Sequence, residues 1–255
     1  MPARDRPVAA LRQAPDSTIW LQAAEAAALI VGEVKRFGIE PDRESVVGSP
    51  WKSALYCTLD AVFSARTRYE VVVVPMLKRL DKRAAVSDTP ERTFSDFLQD
   101  VDRVAGAQRF EQYAADVLQN RQRVGGRLKV AVAYDAAHFF VENGVETMAD
   151  AAALGDLLRP LILGGLQMQV VGIGPALAYY LLALLGDEDR IKLDTMLLRF
   201  WERIGLSPIN PMSPAHYEFA LGVFRLAAES IETSPARLDK AIWDYESRRD
   251  NESNQ

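Results

Sequence analysis

One cysteine, Cys57, is all the thiol chemistry that this chain of 255 residues carries. A lone thiol forms no disulfide within the chain and fits a reducing cytosol. It cannot hold an iron–sulfur cluster, which takes four cysteine ligands. Histidine is scarce as well: His138 and His216 stand far apart with no cysteine or histidine neighbour, which argues against a metal site. No run approaches the roughly 18 uninterrupted apolar residues that a membrane helix needs. The N-terminus, MPARDRPVAALRQ, is charged and lacks the apolar core of a signal peptide, so a soluble cytoplasmic protein is expected. Nor is there an excess of basic charge: Lys and Arg number 30 against 35 Asp and Glu, a net charge of −5. That weighs against a broad basic face for nucleic acid. It leaves room for a local patch that neutralises few phosphates and binds with a shallow salt dependence.

What is present is helical periodicity in a chain that is 49% apolar, enough for a sizeable core. Apolar residues at helical spacing predict helices over Ile19–Phe37, Trp51–Ser64, Tyr69–Leu80, Thr93–Val104, Gln108–Arg123 and Lys129–Glu142. Further helices are predicted over Thr147–Leu154, Ala215–Glu232 and Ala236–Tyr245, with Leu157–Val170 entering the glycine turn that follows and a polar, frayed tail from Glu246. Val71–Val74 alone reads as a strand, but its flanks carry the helical pattern. No repeat and no strong strand are found, so the fold class is all-α. Residues 1–15 read as a loose arm, Glu40–Pro50 as a turn-rich connection and Asp81–Pro90 as a polar loop.

The stretch VGIGPALAYYLLALLGDEDRIKLDTMLLRFW, Val171 to Trp201, organises the rest. Gly172-Ile173-Gly174 is a tight turn, and Pro175 opens a helix at the one position where its missing N–H costs nothing. Ala178, Leu181, Leu182 and Leu185 form the apolar face, and Gly186 ends it. Asp194-Thr195 starts a second helix, which Gly205 ends. A glycine turn at a helix N-terminus presents backbone N–H groups and the positive end of the helix dipole, a place for a phosphate. A carboxylate at the next helix start, Asp194, has its charge favoured by the N-terminal amides. The same residues also serve a purely structural turn and N-cap, and local capping alone accounts for an Asp there.

The order G-I-G-P-x-x-A, an apolar helix, then L-D-T-x-x-x-R resembles the helix-hairpin-helix DNA glycosylases of the endonuclease III superfamily. The matching residues are Gly172, Gly174, Ala178, Asp194, Thr195 and Arg199. Upstream, LYCTLDAVFSARTR, Leu55 to Arg68, is similar to the family's apolar helix followed by S-A-x-T, and Arg127 to Val141 resembles the helix ahead of the hairpin. The similarity covers Trp51 to Leu206, with Asp81–Gly125 and Val145–Val170 fitting poorly. It implies that Gly172, Ile173 and Gly174 bind a DNA phosphate and that Asp194 is catalytic; Lys192, two residues before Asp194, is either a surface lysine or a further phosphate contact. It implies that the loop with Ser64, Arg66, Thr67 and Arg68 enters the DNA. Arg127 and Lys129 are additional candidates for backbone contacts. The implied architecture is two helical lobes with the hairpin at the cleft. Residues 1–50 form an arm and helix packing with the C-terminal lobe, 51–186 a lobe ending in the hairpin, and 187–255 the lobe carrying Asp194.

Two departures shape the expected chemistry. Lyase members carry a lysine on the second residue after the second hairpin glycine, and here Ala176 stands there. The four cysteines of the iron–sulfur members are missing. The resemblance therefore implies a monofunctional DNA glycosylase that flips a damaged, mismatched or modified base out of double-stranded DNA, cuts its N-glycosidic bond and leaves an abasic site. It is expected to be a nucleoid-associated monomer with no cofactor and no metal, save a monovalent cation at the hairpin carbonyls that the resemblance alone suggests. The alternatives are a non-catalytic helix-hairpin-helix DNA-binding protein, a glycosylase acting on modified bases of phage DNA in defence, and a helical interaction domain without DNA. The aromatics Tyr56, Phe63, Tyr179 and Tyr180, like Cys57, read as core, and His138 reads as a packed residue.

Overall fold

The computed structural model describes residues 17–41, 51–65, 67–84 and 91–253. The predicted arm, most of the connection to Pro50, the end of the polar loop before Glu91, and Arg66 lie outside these residues. The described chain is mostly helical, with one hairpin of two-residue strands as its only sheet, and none of its helices is long and apolar enough to cross a membrane.

Two clusters of buried side chains hold it together. The larger is built from α2 (Ala54–Ser64), a π-helical turn Tyr69–Val73 running into α3 (Val74–Ala84), α4 (Phe94–Asp102) and α5 (Arg109–Asp116). The strands β1 (Arg123–Val124) and β2 (Arg127–Leu128) follow, then α6 (Lys129–Glu142), α7 (Met148–Ala153), α8 (Gly155–Gln169) and α9 (Pro175–Leu184). The smaller cluster unites α1 (Ser17–Arg36) with α10 (Thr195–Arg203), α11 (Pro214–Ser230) and α12 (Pro235–Ser253). Tyr179 of α9 belongs to this second cluster, its ring stacked on Tyr217 of α11. So α9 carries one face into each core, and the connection from α9 to α10 runs along the seam.

Local chemistry explains where the elements begin. Thr93 and Thr147 each make a capping box, with Asp96 and Asp150 respectively. Ser213 caps α11 ahead of Pro214, and Asp194 caps α10. The valine run Val71–Val74 is helical, not extended. Its π-helical opening fits Pro75, which has no N–H to give the carbonyl one turn back and whose ring would crowd it.

The structure corrects four readings. The helix expected to run to Arg123 ends at Asp116: Gln119 turns to φ +51, and the chain re-forms as the antiparallel pair β1–β2. Gly125 and Gly126, both at positive φ, make the two-residue turn that such a hairpin demands. Residues 81–84 continue α3 instead of opening a loop. The C-terminal tail does not fray at Glu246. The helix runs on to Ser253, and Glu246 is buried with its carboxylate on Arg203 of α10. His138 is half exposed, beside the Tyr134 ring and Glu142. Cys57 is buried.

Candidate functional site

Asp60 is the one charged residue of α2, and it is fully buried. A carboxylate in that setting must be paired or hydrogen-bonded. Asp60 Oδ2 accepts from Trp51 Nε1 at 2.9 Å and from the Tyr69 hydroxyl at 2.5 Å, and Oδ1 accepts from the Tyr180 hydroxyl at 3.1 Å. Burial pushes the Asp60 carboxyl up from its ordinary value, against the pull of these donors and of the Lys192 charge. The tyrosine hydroxyls shift up too, burial first and the Asp60 charge second.

Tyr180 carries the network across the seam. Lys192 Nζ lies 3.7 Å from the centre of the Tyr180 ring, a cation–π contact. The same ammonium donates to Ser64 Oγ at 3.3 Å and stands 3.8 Å from Asp194 Oδ2. Asp194 divides its oxygens: Oδ1 accepts from the N–H groups of Met196 and Leu197 at 2.9 and 3.2 Å, while Oδ2 faces Lys192. Both side chains stay partly open, at 17% exposure for Lys192 and 22% for Asp194. Beneath them Asp239 of α12 accepts the Lys192 main-chain N–H at 2.7 Å. Desolvation pushes the Asp239 carboxyl up to about 8; that N–H pulls it down and the charge of Asp194 pushes it up.

The hairpin opens α9, the helix that bears Tyr180. Gly172 has φ +111, and a Cβ there would lie 2.9 Å from Val132 Cγ2. Both the turn and the close packing on α6 therefore require glycine. Gly174 is different: as the N-cap of α9 it has φ −87, and a Cβ added there would meet only Met212 Cε, at 3.8 Å. Ile173 is buried and its N–H is spent on Val170 O, so it offers no donor to a ligand. The amides of Gly174 and Ala176 donate to no acceptor among the described residues. β1–β2 packs beside the turn and brings Arg127, which binds Asp135 and donates to Val171 O at 3.1 Å. Val170 O and Val171 O thus accept from an amide and a guanidinium respectively.

Sequence candidates separate on this geometry. Ser64, Lys192 and Asp194 are brought together. Gly172 and Gly174 reach them only along α9. Arg68 is exposed where the π-helical turn begins. Thr67 turns inward, its Oγ1 2.7 Å from Gln122 Oε1 and 3.1 Å from Ala65 O. Lys129 is no backbone contact for DNA: it is buried, and its ammonium donates to Phe63 O, Ala65 O, Thr67 Oγ1 and Gln122 Oε1 at 2.7–2.9 Å. Burial pushes this lysine down to about 8. No group of three His, Cys, Asp or Glu that could hold a metal occurs among the described residues.

A family model described as a domain of unknown function (DUF8548) matches residues 28–247. The chain belongs to this family. No curated protein and no solved structure matches it. The DUF8548 match spans the whole seam, from Trp51 and Asp60 to Asp239. Sequence reasoning missed Asp60, Tyr69, Tyr180 and Asp239. Asp60 alone left a trace, as the single acid in the apolar run LYCTLDAVF; the others join the site only through packing.

Asp239 gives this DUF8548 chain a testable pH signature. In the unfolded chain its carboxyl titrates near the ordinary Asp value of about 3.9, and in the folded chain near 8. Between those limits the folded protein holds a proton that the unfolded chain has lost. The stability that this proton contributes is complete below the lower value and is lost as pH rises through 8. Asp239→Asn mimics the protonated form and still offers an oxygen to Lys192. Thermal melts at about pH 6 and about pH 9, on either side of the folded-state value, should show the variant overtaking the native protein at the higher pH. A difference between the two proteins that is the same at both pH values would remove the shift.

Proposed function

We propose that the chain is a monofunctional DNA N-glycosylase. The observation that carries this reading is the state of Asp194. One of its oxygens is fixed by two helix amides, and the other is left partly open beside a lysine, at the seam between two helical cores. A carboxylate so held is suited to stabilise positive charge that develops on a sugar as its N-glycosidic bond lengthens, and to orient the attacking water. The resemblance to the helix-hairpin-helix glycosylases supplies the substrate. The phosphate would take the N–H groups of Gly174 and Ala176, at the positive end of α9, with Arg127 and exposed Arg123 near the turn.

Asp194 paired with Lys192 also suits a non-catalytic DNA-binding protein, since the ammonium neutralises the carboxylate. One assay separates the two. Duplexes carrying a panel of damaged, mismatched and modified cytosine bases are incubated with the protein and then treated with alkali or left untreated. The glycosylase reading expects strand breaks only after alkali, because the lyase position holds Ala176 and Lys192 is engaged with Asp194, Ser64 and Tyr180. Binding without alkali-labile sites on any duplex supports the non-catalytic protein. Breaks without alkali, with a borohydride-trapped adduct that Lys192→Ala abolishes, would make Lys192 a lyase amine.

A further inference from the structure

Lys129 is the one charged side chain among the largest fully buried ones, and no carboxylate accounts for it. Its ammonium sits among four neutral oxygens. Phe63 O is a carbonyl of the last turn of α2, and Ala65 O belongs to the residue that ends that helix. Thr67 Oγ1 comes from the following loop and Gln122 Oε1 from the segment before β1. The last carbonyls of a helix have no partner within it and carry the negative end of its dipole. Such a set of neutral oxygens around one positive charge, with no carboxylate, makes a cage for a monovalent cation and a poor one for a divalent ion, which takes carboxylates. The cage is filled by the chain itself. Lys129 is the first residue of α6, and its own N–H is held by Gln122 O at 2.9 Å, so the ammonium arrives from a fixed point.

We propose that Lys129 is a tethered monovalent cation that organises the end of α2 and the loop after it, and that a free cation of the same chemistry can replace it. Among the described residues the loop has few other ties: the Thr67 N–H reaches Ser64 O at 3.3 Å, and Thr67 Oγ1 reaches only partners within the cage. The same helix end carries Ser64, which accepts from Lys192 beside Asp194. The cage thereby positions one wall of the seam and, on the proposed function, the segment that meets DNA. Lys129 is a positioning residue: its ammonium holds Phe63, Ala65, Thr67 and Gln122 and acts on Asp194 and DNA only through them.

The test uses the full chain and two variants. Lys129→Ala empties the space beyond Cβ, which n-propylammonium can refill. Lys129→Met fills it with an uncharged chain. Hydrogen exchange of the peptide covering residues 61–73 is expected to quicken about tenfold or more in both. Added propylammonium chloride should restore protection in the Ala variant and leave the Met variant unchanged, with tetramethylammonium chloride, which has no N–H to donate, at equal ionic strength as control. If either variant is too unstable for exchange, the melting temperature is read instead, and propylammonium should raise it in Ala over Met. Exchange that is unchanged in a folded Ala variant overturns the proposal, as does failure of propylammonium to act on Ala more than on Met. DNA affinity, measured in parallel, is a separate readout. If protection follows the cage while affinity does not, the cage stands and the loop's contact with DNA is wrong.

Discussion

Asp194→Asn is expected to abolish base excision while leaving the fold and DNA binding in place. Asn caps a helix as well as Asp does, and its oxygen can accept from the same Met196 and Leu197 amides. The pair with Lys192, at 3.8 Å and partly exposed, contributes at most about 1 kcal/mol. What the variant lacks is the negative charge. Removing a group that stabilises transition-state charge typically costs on the order of a hundred- to a thousandfold in rate. The check is single-turnover excision on whichever duplex the native protein attacks, beside a melting curve and a binding isotherm. A folded Asn variant with near-native excision would take Asp194 out of the mechanism.

Gly174→Asp should cost the protein its DNA and nothing of its stability. The backbone there, φ −87 and ψ 177, is open to any residue, and the nearest atom to an added Cβ is Met212 Cε at 3.8 Å. Asp is also a better N-cap than Gly, so the melting temperature should hold or rise. The new carboxylate would occupy the helix N-terminus against an incoming phosphate, and repulsion of that kind weakens binding by roughly ten- to a hundredfold even when solvent screens it. Gly174→Ala is the control and should bind like the native chain. Gly172→Ala is no substitute for it: at φ +111 and 2.9 Å from Val132, it strains the turn and confounds fold with binding. Equal affinity of a folded Gly174→Asp protein and the native chain would reduce the turn to a structural role.

Residue order alone was enough to locate nearly all the helices, because each buries one stripe against a core, and a stripe repeats in the sequence as well as in space. It placed Lys129–Glu142 residue for residue, and put Thr93 and Thr147 at helix starts and Asp194 at a cap, because helix-start signals are local. It failed where local signals are silent or compete. The hairpin at Gly125-Gly126 was hidden by the helical pattern before it, and helix α12 passed the polar residues after Tyr245 because Arg203, distant in sequence, receives Glu246. The site divides in the same way. Asp194, Lys192 and the glycine turn lie within one short stretch, so their spacing was legible. Asp60, Tyr180 and Asp239 come from three helices and meet only when two cores close on α9, and nothing in the spacing of those residues encodes that meeting. Lys129 shows the division most clearly. A lysine three residues after Gly125-Gly126 reads as a candidate contact for the DNA backbone, and only the folded chain, by bringing four neutral oxygens around its ammonium, decides that it is buried.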